Sequence, residues 1–171
     1  NYIDITTTGN AQDFGDLTGT RESLGALSNQ TRGVFCGGNS DGARSNVMDY
    51  VTVATTGNAQ DFGDLTSTKN AVTASSNGTI GIIAGGLGSG SYPNNYKNEI
   101  ESITVATTGN ATDFGDMTYQ AQMPTSFADA TRGVIAGGYS TAAAGDVTMN
   151  YITFASAGNA QDFGDLSQGR Y

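Results

Sequence analysis

The nonapeptide GNAQDFGDL at residues 57–65 occurs unchanged at 9–17 and 158–166, and as GNATDFGDM at 109–117. Successive starting glycines, Gly9, Gly57, Gly109 and Gly158, lie 48, 52 and 49 residues apart. A second phrase keeps step with the first: RGVFCGG ends at Gly38, IGIIAGG at Gly86 and RGVIAGG at Gly138. From Leu17 to Gly37, Leu65 to Gly85 and Met117 to Gly137 the distance is 20 residues each time, so this part of the repeat has constant length. A period of ~50 residues belongs to a supersecondary unit that buries its apolar face by stacking on its neighbours. The chain reads as a single repeat domain over 1–171, with units at 18–65, 66–117 and 118–166. A half-unit at 2–17 precedes them, and 167–171 begins a further unit.

Within each unit the pattern is that of strands. Residues 2–5, 50–53, 102–105 and 151–154 alternate β-branched or aromatic with smaller polar side chains, the period of a half-buried strand. Each runs into the Gly-Asn-rich phrase, whose Phe14, Phe62, Phe114 or Phe163 opens a short outer strand closed by Leu17, Leu65, Met117 or Leu166. Small-residue strands follow at 24–27, 72–75 and 124–127. Turns are expected at Asn29-Gln30, Asn77-Gly78 and Asp129-Ala130, the middle one a strong two-residue hairpin signal. Beyond them come the most apolar strands, 34–36, 82–84 and 134–136. No stretch reads as helix.

The fold class expected is therefore all-β, a β-propeller of four-stranded antiparallel blades in which the small-residue strand lies beside the crowded axis. A β-solenoid is the competing architecture, although its coils are usually shorter than ~50 residues and need no tight hairpin. A propeller has about four to eight blades, and three complete units plus one outer half-unit leave the ring incomplete within this chain. Further sequence or further copies are expected to complete it. The chain starts at Asn1, inside a repeat, as a segment of a longer polypeptide would.

The apolar strands ending in Gly37-Gly38, Gly85-Gly86 and Gly137-Gly138, with the aromatics Tyr2, Tyr50 and Tyr151 and the second aromatics Phe14, Phe62, Phe114 and Phe163, resemble kelch repeats over essentially the whole chain. The likeness departs from that family in having phenylalanine for its tryptophan, a longer turn between the aromatics, and Ser102 where a tyrosine is due. The phrase DYVTVATTGNAQDFGDLT, residues 49–66, is more specifically similar to kelch-like repeats in tail and tail-fibre proteins of marine tailed bacteriophages, cyanophages above all. That resemblance implies a virion or extracellular location and a structural or attachment role: loops presented to a host-surface glycan or protein. A purely structural repeat or spacer with no ligand of its own is the alternative.

Composition narrows the functions. Seven Lys and Arg against 16 Asp and Glu, a net charge of −9, disfavour nucleic acid and anionic membranes as partners. Histidine is absent, which removes the usual base of a serine or cysteine nucleophile, the common zinc sets and the copper ligands of kelch-fold oxidases. Arg32 and Arg132 recur in separate units instead of converging as a sialidase cluster would. No enzyme is expected. Cys36 replaces an alanine of the other units and reads as a small core residue.

Two sets of candidate residues remain. The carboxylate pairs Asp13/Asp16, Asp61/Asp64, Asp113/Asp116 and Asp162/Asp165 recur in every unit. They are weak calcium candidates, or acceptors that hold a turn. The second set lies where the repeat length changes. Gly38 to Tyr50 is 12 residues, Gly86 to Ser102 is 16 and Gly138 to Tyr151 is 13, so all the variation falls in one connection, and the three loops should emerge on one face. Loops on a rigid scaffold are where binding residues concentrate. Tyr92, Tyr96, Lys97, Tyr139, Asn39, Asp41 and Arg44 are the partner-binding candidates, with Tyr92 and Tyr96 leading as exposed aromatics. Arg21, Lys69 and Arg170 share another repeat position, occupied by Ala121 in the third unit, and read as a solvated rim.

Overall fold

A computed structural model describes residues 1–91, 95–142 and 144–170. The first unit contains β1 (Gly25–Ser28), β2 (Arg32–Cys36), the two-residue β3 (Asn39–Ser40) and β4 (Ala43–Arg44), β5 (Val47–Thr52) and β6 (Gln60–Asp64). The second contains β7 (Thr73–Ser76), β8 (Ile80–Ala84), β9 (Glu99–Thr104) and β10 (Thr112–Asp116). In the third lie β11 (Ala121–Gln122), β12 (Thr125–Ala128), β13 (Arg132–Ala136), β14 (Tyr139–Ser140), β15 (Asp146–Thr153) and β16 (Gln161–Arg170). Each unit is one antiparallel sheet, ordered β1-β2-β5-β6, β7-β8-β9-β10 and β12-β13-β15-β16. The protein is all-β among the described residues, and its sheets are open ones.

The hairpins are set by one side chain each. Asn29 Oδ1 accepts the amides of Thr31 and Arg32, Asn77 Oδ1 those of Thr79 and Ile80, and Asp129 Oδ1 those of Thr131 and Arg132, all at 2.6–3.0 Å. The Asn77 amide also bonds the Ile80 carbonyl, so the two central residues are Gly78 and Thr79, one place later than Asn77-Gly78. The reason is that the asparagine serves as the turn's side-chain acceptor from its first position. Outer strands are bulged beside the repeated nonapeptide: the β5–β6 register shifts between Met48 and Asp49, and β9–β10 shifts between Asp113 and Gly115. A bulge re-aims a side chain. Phe62 and Phe114 are buried in the cores, and Phe62 meets Tyr50 edge-on at 6.1 Å.

Two apolar cores lie between the sheets. One joins Leu27, Val34, Met48, Phe62 and Leu65 of the first unit to Val72, Ile83, Ile103 and Val105 of the second. The other joins Ile82, Ile100, Phe114 and Met117 to Ile135, Ile152 and Phe154 of the third. The inner strands β1, β7 and β12 are neighbours, and small residues let them approach: a Cβ on Gly25 would lie 2.9 Å from Val72 Cγ2, and Thr73 Oγ1 meets Ser126 Oγ at 2.8 Å. Cys36 is fully buried in the first core, and burial pushes its thiol up to about 12, the state of an inert packing residue.

Main-chain bonds repeat across both junctions. Gly57 N–H donates to Phe14 O (2.7 Å), Ala59 N–H to Asp16 O (2.8 Å) and Asp16 N–H to Asn58 Oδ1 (3.0 Å). The same three bonds run between Phe62/Asp64 and Gly109/Asn110/Ala111, and between Phe114/Asp116 and Gly158/Asn159/Ala160. We call this arrangement the clasp. Ser23, Ala71 and Met123 form a second series, each left-handed (φ 54–55°), with Ala71 N–H on Ser23 O and Met123 N–H on Ala71 O at 2.7 Å.

The ends differ from the sequence reading. In the half-unit the expected strand pair is reduced to a single bridge, Tyr2 with Gln12, because no inner strands support it among the described residues. Residues 167–170 extend β16 instead of standing apart, with Arg170 opposite Asp146. Arg170 O nevertheless accepts the Gly138 amide at 2.8 Å, as Lys69 O accepts Gly38 and Ala121 O accepts Gly86, so the tail follows the path by which a unit begins.

Candidate functional site

The variable connections come together at one end of the stacked sheets. Each loop is pinned to the segment that leads into a unit: Glu22 bridges Asn39, Asn70 bridges Leu87, and Gln122 pairs with Tyr139 in the β11–β14 ribbon. Loops then reach the next unit. Arg44 Nε donates to Asn70 Oδ1 at 3.2 Å, and Gln122 Nε2 lies 3.5 Å from the Tyr96 hydroxyl. Tyr96 and Tyr139 stack at a tilt, ring centres 6.3 Å apart, which joins the second loop to the third.

Asp41 sits at the tip of the first loop, left-handed at φ 50° beside Gly42, and is exposed. Asn39 and Arg44 flank it, half-buried, with Asn39 Nδ2 3.3 Å from Glu22 Oε1. Lys97 Nζ bonds Glu99 at 3.4 Å. Tyr96 is only 5% exposed, which corrects its place as a leading exposed aromatic: bridged to Leu87 and stacked on Tyr139, it holds the loops together. Tyr139 is half-buried, and Tyr92 lies outside the described residues. The face left to solvent is a small polar one, led by Asp41, Arg44 and Lys97.

Beneath the loops lies a row of buried polar contacts. Arg21 bonds Asp49 at 2.6 Å with side-chain exposures of 3% and 0%, and Thr18 Oγ1 donates to the same carboxylate at 2.5 Å. Lys69 bonds Glu101 at 2.7 Å and Glu99 at 2.8 Å, and Thr66 donates to Glu101. In the third unit Thr118 meets Asn150 and the cation's place is taken by Ala121. The rim reading of Arg21 and Lys69 is thus corrected: each pairs within its own unit and is shielded from water. A signal existed, because Arg21→Lys69→Ala121 and Asp49→Glu101→Asn150 change in parallel and lose charge together.

The repeated carboxylates take up turns and clasps. Asp13 and Asp162 accept the amides of Gly15 and Gly164 at 3.2 and 3.0 Å, while Asp16, Asp64 and Asp116 use their main chains in the clasp. Among the described residues no three carboxylate or thiol side chains converge as metal ligands. Arg32 and Arg132 stay apart, each over its own unit's tyrosine, 4.5 Å from Tyr50 and 4.9 Å from Tyr151. Those tyrosines bond Gln60 and Gln161. Ile80, Ser102 and Thr112 replace all three partners in the second unit, where a groove of about 360 Å³ opens between Ser102, Asn110 and Phe154. No protein-family model matches the chain, and no curated protein matches it.

Proposed function

We propose that the three sheets are blades of a kelch-like β-propeller and that the chain is a structural and attachment module of a virion tail or tail fibre. Its loop end meets a host-surface glycan or protein, and catalysis is no part of its role. The observation that carries this reading is the division of labour within the repeat. Cores, hairpins and clasps recur unit by unit, while all length variation is gathered in loops that share one end. Selection for a rigid frame with variable loops is how recognition surfaces are built. The burial of Tyr96 and the pairing of Lys97 with Glu99 favour the second reading, a spacer whose loops brace the frame.

The test replaces residues 87–98 by the first unit's 39–46 and screens both proteins on an array of bacterial surface saccharides and on intact marine bacteria. Binding by the unaltered protein that disappears in the loop replacement supports recognition. No binding by either, together with normal particle adsorption after the exchange, would leave the spacer.

A further inference from the structure

The clasp occurs three times in the described residues, and each copy has a donor half and an acceptor half. The acceptor half is Phe-Gly-Asp, whose glycine must be bare: a Cβ on Gly15, Gly63 or Gly115 would overlap the carbonyl of Gly57, Gly109 or Gly158. The donor half is Gly-Asn-Ala, whose alanine is covered at Ala59, Ala111 and Ala160. One of each is left over. At the end of the third sheet, Phe163-Gly164-Asp165 repeats the acceptor, yet a Cβ on Gly164 meets nothing within 4 Å, and Phe163 is 50% exposed against 2% for Phe62. At the other end, Gly9-Asn10-Ala11 repeats the donor, exposed throughout, and Asn10 makes no side-chain hydrogen bond among the described residues.

We propose that these halves bind each other between molecules, Gly9-Asn10-Ala11 of one copy closing on Phe163-Gly164-Asp165 of a second copy. The bonds follow from the internal clasps: Gly9 N–H to Phe163 O, Ala11 N–H to Asp165 O, and Asp165 N–H to Asn10 Oδ1. The half-unit's place is kept, because it is an outer strand pair that lies beside an outer strand, as Gly57–Ala59 lies beside Phe14–Asp16. The two halves differ, so the contact is heterologous and generates a closed ring or an open array of copies. The inference rests on the internal clasps and is independent of the attachment reading.

The experiment uses the 171-residue chain with two variants, Ala11→Arg on the donor half and Phe163→Glu on the acceptor half, both at positions open to solvent in a single copy. Sedimentation velocity should show the unaltered chain assembling as its concentration rises, and each variant monomeric with an unchanged strand circular-dichroism spectrum. An equimolar mixture of the two should form a one-to-one dimer and nothing larger, because each supplies the half that the other lacks. Asn10→Ala, which deletes an exposed amide, replaces Ala11→Arg if the arginine unfolds the half-unit. A chain that stays monomeric at every concentration, assembly indifferent to both variants, or a mixture that fails to dimerise would overturn the proposal.

Discussion

Lys69 and Glu101 are joined by a 2.7 Å ion pair with side chains 1% and 2% exposed, and the third unit holds Ala121 and Asn150 in the same two places. The chain thus carries its own double substitution. A buried charge left alone costs far more than the pair returns, about 3–5 kcal/mol when one partner is removed, whereas a neutral replacement of both is often without cost. Lys69→Ala should therefore lower the urea midpoint by an amount in that range. Lys69→Ala with Glu101→Asn should recover most of the loss, since Thr66 can bond the amide as Thr118 bonds Asn150. Equal losses in the single and double variants would show that the lysine acts by packing its stem.

Asp129 stands where the other hairpins have Asn29 and Asn77. The amides of Arg132 and Thr131 and the Thr131 hydroxyl hold its carboxyl below the usual carboxylate range, working against a small effect of burial. A lowered folded value means stability that is present above the unfolded value of about 4 and is lost as pH falls through the folded one. Asp129→Asn keeps the acceptor and removes the titration, so the acid limb of the melting profile should become shallower while the neutral melting temperature hardly moves. An unchanged acid limb would remove the hairpin from the acid response.

Much of the frame was legible because the repeat carries it. Val34, Ile82 and Val134 mark the apolar strand, and the Gly-Gly pairs mark where it stops, so each unit's four strands could be placed. The clasp was not legible, since Gly57 and Asn58 have the composition of a turn and their partners, Phe14 O and Asp16 N–H, are main-chain atoms without a residue signature. Burial of Tyr96 escaped for a related reason: a tyrosine in a Gly/Ser-rich loop looks exposed until its ring is seen against Tyr139 of another unit. The loop cluster itself followed from length variation alone.

Ser23 is left-handed at φ 54° and solvent-exposed, with its carbonyl held by the Ala71 amide. That conformation costs an ordinary residue roughly 1–2 kcal/mol, less for asparagine, whose side chain bonds locally. Ser23→Asn loses no buried area and should raise the melting temperature, with a gain of up to about 1 kcal/mol. A fall would mean that the serine hydroxyl supports the turn more than the backbone strain costs.

Gly63 and Gly9 belong to the same nonapeptide phrase but face different surroundings, which makes them a test of the clasp inside the molecule. A Cβ on Gly63 would overlap the Gly109 carbonyl, and its φ of 137° already disfavours any other residue, so Gly63→Ala must break the bonds from Gly109 and Ala111 to Phe62 and Asp64 or shift the sheets apart. It should cost well over about 1 kcal/mol, the penalty expected where alanine meets an incompatible backbone. A methyl group added at Gly9 would meet nothing within 4 Å, and the residue has no positive φ, so Gly9→Ala should stay within about 0.5 kcal/mol. Urea unfolding of a dilute, monomeric sample reads both. Hydrogen exchange at Gly109 and Ala111 then locates the damage, because those two amides should lose protection in Gly63→Ala and keep it in Gly9→Ala. Equal stability of the two variants would mean that the sheets are held by their apolar cores alone, with the clasp setting only how they are aligned.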